Sequence, residues 1–179
     1  MKILAISGSL REQSTNTALL RAAALAAPSP IRVVLYEQME TLPAFNPVLD
    51  LEPGPATVSR FRAQLRDCSA VVFSTPEYAH GIPGSLKNAL DWVVGSGEFS
   101  GKPVALMNAS SRGEFAQAAL REVLKTMDAR LISEAEVTVP LLGKGMGVAD
   151  IAADPEFAAL IRFSLEKIAG VVAERRLKP

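Results

Sequence analysis

The chain has 179 residues, 49% of them hydrophobic, and its 19 Lys plus Arg balance 19 Asp plus Glu to a formal net charge of zero. That length suits one domain over residues 1–179 with a sizeable core, and the neutral balance argues against a broad nucleic-acid or anionic-membrane surface. A single cysteine, Cys68, and a single histidine, His80, exclude an internal disulfide, a Cys- or His-rich metal site and any Ser-His-Asp triad built away from His80.

The opening Met1-Lys2-Ile3-Leu4-Ala5-Ile6 is shorter than the roughly 7–15 apolar residues of a secretory signal. No run approaches the roughly 18 apolar residues of a membrane span, so a soluble cytoplasmic protein is expected. Ile3 to Ser7 is a wholly apolar run, of the kind buried on both faces of a parallel sheet. Gly8 to Thr15 is a polar turn. Asn16 or Thr17 is the expected cap of the next helix, with Leu19, Leu20, Ala23, Ala24 and Ala27 on its buried face. Pro28 and Pro30 end it, and Ile31 to Tyr36 is a second strand. Gln38 to Pro55, with Pro43, Pro47, Pro53, Gly54 and Pro55, is expected to be a surface loop.

Val58, Phe61, Arg62 and Leu65 fit a second helix, with Arg62 turned outward or snorkelling. Cys68 precedes an apolar run and is expected to be buried and inert. Ala70 to Ser74 is a third strand, followed by a loop at Thr75 to Gly84 and a helix from Ser85 to Val94. Pro103 to Asn108 is a fourth strand, Phe115 to Met127 a helix, and Leu131 to Val139 a fifth strand. Leu141 to Asp150, with three glycines, suggests a mobile segment. Asp154 and Pro155 open a last helix with the stripe Phe157, Leu160, Ile161, Leu165, Ile168 and Val172. Five strands alternating with helices predict a flavodoxin-like α/β sandwich, its parallel sheet in the order 2-1-3-4-5.

In such a sheet, ligands bind outside the carboxyl ends of the strands. Three loops lie there: Gly8 to Asn16, Thr75 to Gly84 and Asn108 to Glu114. The first offers hydroxyls, an amide, Arg11 and the free amides of a helix N-terminus, a set suited to a phosphate monoester. It has neither the three glycines of a dinucleotide turn nor the G-K-[S/T] ending of a nucleotide-hydrolase loop. An ordinary capped turn has the same composition. In the second loop, two prolines and two glycines fix the backbone, Tyr78 is placed to lie against a flat ring, and the amides of Ala79 to Gly81 face the same edge. Glu77 reads as a partner for a basic residue, and His80 as an exposed side chain rather than a proton donor.

The run Pro76-Glu77-Tyr78-Ala79-His80-Gly81-Ile82-Pro83-Gly84-Ser85-Leu86-Lys87-Asn88-Ala89-Leu90-Asp91-Trp92 resembles the signature of the NADPH-dependent FMN reductase family. Gly8-Ser9-Leu10-Arg11, with Ser14 and Asn16, resembles that family's phosphate loop. The resemblance implies FMN and NADPH or NADH as cofactors, and reduction of a quinone, metal oxyanion, azo compound or free flavin. By position, Ser9, Arg11, Ser14, Asn16 and Thr17 would hold the FMN phosphate, while Pro76, Glu77, Tyr78, Ala79, His80 and Gly81 would line the ring. Many members carry Asn where this chain has Ala79. Ser110 and Arg112 are assigned to the ring's border, where the match is weaker. The flavin carries the hydride chemistry, so no catalytic side chain and no metal is expected. The resemblance also implies a homodimer or homotetramer, packed through the helix bearing Leu86, Leu90, Trp92 and Val93. Two other readings stand beside it. One is a flavodoxin-type electron carrier, against which the neutral charge speaks. The other is a phosphate-binding receiver-like module, which would need acidic strand ends where this chain has Ser7-Gly8-Ser9 and Ser74-Thr75.

Overall fold

A computed structural model describes residues 1–51 and 54–177; Pro53, read above as part of a loop, lies outside them. Three five- or six-residue strands form the centre: β1 (Lys2–Ser7), β3 (Ala70–Ser74) and β4 (Pro103–Asn108). β2 (Arg32–Leu35) flanks β1, and β5 (Arg130–Leu131) and β6 (Val137–Thr138) both pair with β4. All pairings are parallel, in the order β2-β1-β3-β4-β5, with Ile3 opposite Val33 on one side and Ala70 on the other. The expected flavodoxin-like order is therefore present.

The strand period of two sends alternate residues into two cores. Ile3, Ala5, Val72 and Met107 pack beneath α1 (Thr15–Ala26), α5 (Val148–Ala153) and α6 (Pro155–Leu177). Leu4, Ile6, Phe73 and Leu106 pack beneath α2 (Ala56–Asp67), α3 (Gly84–Val94) and α4 (Glu114–Thr126).

Five expectations need correction. The cap of α1 is Ser14, whose Oγ accepts from the Thr17 N–H at 3.3 Å, rather than Asn16 or Thr17. The fifth strand is two short pieces separated by a 3₁₀ turn at Ser133–Ala135. Burial falls on Ile132, Ala135 and Val137, a spacing of three and then two that a continuous strand cannot satisfy. Arg62 points inward: its Nε donates to the Trp92 carbonyl at 3.2 Å and its Nη2 to Asp50 Oδ1 at 2.6 Å. The segment after β2 lies at the surface over Asn46, Pro47, Val48, Leu49 and Leu51, as expected, but its first half is pinned to the core. Met39 and Leu42 are buried, the Phe45 N–H donates to Asn88 Oδ1 at 2.7 Å, and Asn88 Nδ2 and Trp92 Nε1 both donate to the Pro43 carbonyl. Finally, the glycine-bearing stretch after Leu141 leads into a helix the sequence reading missed, α5, where the Gly147 N–H donates to Asp150 Oδ2 at 2.9 Å.

Cys68 is buried, its thiol directed at the Leu65 carbonyl, and burial pushes the thiol pKa up. Among the described residues no helix is long and apolar enough to cross a membrane.

Candidate functional site

The chain order reverses between β1 and β3, and the loops leaving their carboxyl ends open a crevice there. Gly8 lets the two loops meet. A Cβ at that position would lie 2.2 Å from Thr75 Oγ1 and 2.8 Å from Thr75 Cβ, so only glycine fits this approach. The first loop is then folded by its own hydroxyls. Ser7 Oγ accepts from the Ser9 N–H at 3.2 Å, and Ser9 Oγ accepts from the Arg11 N–H at 3.2 Å. Asn16 is buried, and its Oδ1 accepts from Ser74 Oγ at 2.9 Å, tying α1 to β3. That bond leaves the Asn16 NH₂ as its donor end.

In the second loop, Tyr78 and Gly81 exchange both backbone hydrogen bonds at 3.0 Å around Ala79 (φ 48) and His80 (φ 57). Two central residues at positive φ define a type I′ turn, normally built from Asn and Gly. The turn uses the Gly81 N–H internally, so of the three amides read as facing a ligand only those of Ala79 and His80 remain. Among the described residues Glu77 meets no basic partner: its Oε2 accepts from the Ala116 N–H at 2.9 Å. The His80 ring stacks on Phe115, with centroids 4.4 Å apart and planes 19° apart. In the third loop, Ser110 Oγ accepts from the Arg112 N–H at 3.0 Å, and Gly113 (φ 103) begins α4.

These loops enclose a cleft of about 490 Å³, within the range of small-molecule sites. Ser9, Arg11, Ser14 and Asn16 of the first loop line it, together with Pro76, Glu77 and Tyr78 of the second and Ser110 and Arg112 of the third. Thr17 does not reach it, because its hydroxyl meets Ser7 Oγ at 2.8 Å behind the loop. Ala79, His80 and Gly81 form the turn outside the lining. Thr75 and Asn108 were missed although they follow or end buried strands, which the rule placing ligands at strand ends would have found. Gln13 and Thr15 also line the cleft, as do Gln117 and Leu142. Leu142 comes from a stretch with no periodicity, so no sequence signal pointed to it. With Arg11, Arg112 and the amino end of α1 around it, the cleft favours an anionic ligand.

The family model for NADPH-dependent FMN reductase matches residues 1–142, which leaves α5 and α6 outside the match. An NAD(P)H-dependent FMN reductase of Pseudomonas aeruginosa is 39% identical over 145 residues, covering 78% of this chain and 77% of that protein. A quinone reductase of Escherichia coli is 32% identical over 142 residues, covering 76% of each. The solved structure of FerB, a flavoenzyme NAD(P)H:(acceptor) oxidoreductase from Paracoccus denitrificans, superposes with a TM-score of 0.84 at 24% identity, covering 97% of both chains, and supports the fold. The sheet order, the cleft at its switch point and the match over residues 1–142 place this chain in the NADPH-dependent FMN reductase family.

Proposed function

We propose that the chain is an NAD(P)H-dependent, FMN-containing reductase whose acceptor is a quinone, with metal oxyanions, azo compounds and free flavin as alternatives at the same open site. The observation that carries this reading is one cleft lined by two chemistries: the hydroxyls, Arg11 and helix amides of the first loop, and the Pro76-Glu77-Tyr78 loop with its half-exposed Tyr78. This donor set fits FMN. The Ser9 and Ser14 hydroxyls, Arg11 and the amino end of α1 would hold the phosphate; Pro76, Glu77, Tyr78, Ser110 and Arg112 would border the ring. When bound, FMN supplies the hydride chemistry.

The chain's own residues bind and orient. Arg11 and the α1 dipole offset the phosphate charge. Asn16, tied to Ser74, fixes the phosphate loop to the sheet. The identity to the quinone reductase of Escherichia coli supports a quinone as acceptor.

A homodimer or homotetramer in the cytoplasm belongs to the same reading, with its surface moved. Leu86, Leu90, Trp92 and Val93 are buried within the chain, whereas Val48, Leu49, Leu51 and Val94 stay exposed, and the Asp50 side chain lies beside Gly95.

The test is an absorbance spectrum of protein supplemented with FMN and desalted, repeated anaerobically with NADPH and then NADH. Flavin bands that stay with the protein and bleach, then return on adding a quinone, are expected. Bands that stay but bleach with neither nucleotide would mean an electron carrier instead.

A further inference from the structure

We propose that Glu77 is a positioning residue: its carboxylate locks the ring-side loop to the first turn of α4 and so sets the width of the cleft. This rests on the flavin reading for what the cleft holds. The first N–H groups of a helix have no partner within it. At α4 the residue that would normally cap them is Gly113, which has no side chain. Glu77, 39 residues upstream of Ala116, takes that part by accepting the Ala116 N–H at 2.9 Å. A carboxylate at a helix amino end also gains from the dipole. Gly113 is glycine for its backbone, held at φ 103 where L side chains are strained; a Cβ there would make only an ordinary contact, 3.5 Å, with Glu77 Cβ.

A second tie lies beside the first. His80 stacks on Phe115, the residue before Ala116. His80 sits inside the Tyr78–Gly81 turn that directly follows Glu77 and is closed by its two hydrogen bonds. Loop and helix are thus gripped at two adjacent points by one rigid piece of backbone. The two walls of the cleft, Pro76 to Tyr78 on one side and Ser110 to Gly113 with Gln117 on the other, move together or not at all. The Glu77 oxygen that faces α4 is committed to the backbone, so its contribution to a ligand is made through the geometry it holds.

The test compares Glu77→Ala with Glu77→Gln, whose amide oxygen can still accept the Ala116 N–H. Amide exchange at Ala116 is measured against amides of β1 as an internal standard, and FMN affinity is measured by fluorescence titration of the flavin-free chain. In Glu77→Ala, Ala116 exchange and the FMN Kd should each rise about tenfold, with β1 unchanged; in Glu77→Gln both should stay within about threefold of the parent. His80→Ala, which leaves the carboxylate in place, should raise the FMN Kd by about threefold, and keeps the lock testable should Glu77→Ala not fold. Unchanged Ala116 exchange in Glu77→Ala, lost protection without weaker FMN binding, or a Glu77→Gln as weak as Glu77→Ala would each overturn the proposal. A parent chain that binds no FMN would instead overturn the flavin reading, and the exchange comparison would still decide whether the lock exists.

Discussion

Ala79 and His80 hold consecutive positive φ angles of 48° and 57°, and neither is a glycine. Left-handed backbone costs an L-residue with a Cβ roughly 1–2 kcal/mol. The turn persists because Tyr78 and Gly81 close it from both sides and His80 is anchored on Phe115. Asparagine tolerates this conformation through local side-chain hydrogen bonds and keeps a Cβ in the unfolded chain. Ala79→Asn is therefore expected to raise stability by roughly 0.5–1 kcal/mol, and Ala79→Val to lower it by about 1 kcal/mol or more, since β-branched residues fit this region worst. Urea unfolding midpoints decide it, and a lower midpoint for Ala79→Asn would show that the turn is not strained. The Ala79 position was legible as unusual because of the Asn it replaces. Its strain was not, because φ depends on the partners that close the turn. Arg62 shows the same limit. Its helical spacing was read correctly, but its inward direction depends on Asp50 and the Trp92 carbonyl, which sequence distance hides.

The amino end of α1 has two tasks, closing the helix and facing the cleft, and Ser14 belongs to both. Ser14, Thr15, Asn16 and Thr17 are all capping residue types, so composition located the helix start without selecting the cap. Geometry selects it: Thr17 is drawn to Ser7 and Asn16 to Ser74, which leaves Ser14 to accept the Thr17 N–H. The two tasks can be separated. Ser14→Ala removes the cap and is expected to cost about 1 kcal/mol. Ser14→Asp keeps a capping oxygen and complements the dipole, so stability should stay within about 0.5 kcal/mol. Its charge, however, would oppose a phosphate in the cleft and weaken FMN binding by at least about tenfold. Thermal unfolding and flavin titration of both variants read the two effects independently. If Ser14→Asp binds FMN as the parent does, the phosphate lies elsewhere.

Across the whole molecule, what the sequence showed best was the pattern with the shortest range. Apolar runs of four or five residues marked β1, β3 and β4, and their two-residue alternation between the cores follows from strand geometry. The margins were less visible, because edge strands, 3₁₀ turns and α5 are shaped by what they cover. Tyr36 sits at such a margin, after β2, its ring 4.6 Å from that of Phe61 and its hydroxyl donating to the Gln38 carbonyl at 3.3 Å. Burial pushes its phenol pKa up to about 12, partly offset by Arg60. A pKa raised in the folded state means that the fold holds the proton more tightly than the unfolded chain does. The stabilisation is then complete below the ordinary value of 10.0 and is lost as pH rises through about 12. The chain has two tyrosines, so Tyr78→Phe leaves Tyr36 alone to report. In that variant, tyrosinate absorbance should appear near pH 12 or together with unfolding, and Tyr36→Phe should flatten the fall in urea midpoint between pH 10 and 12. Ionisation near pH 10 with the fold intact would mean that Tyr36 is open to water, and that the segment from Met39 to Leu42 does not seal this corner of the core.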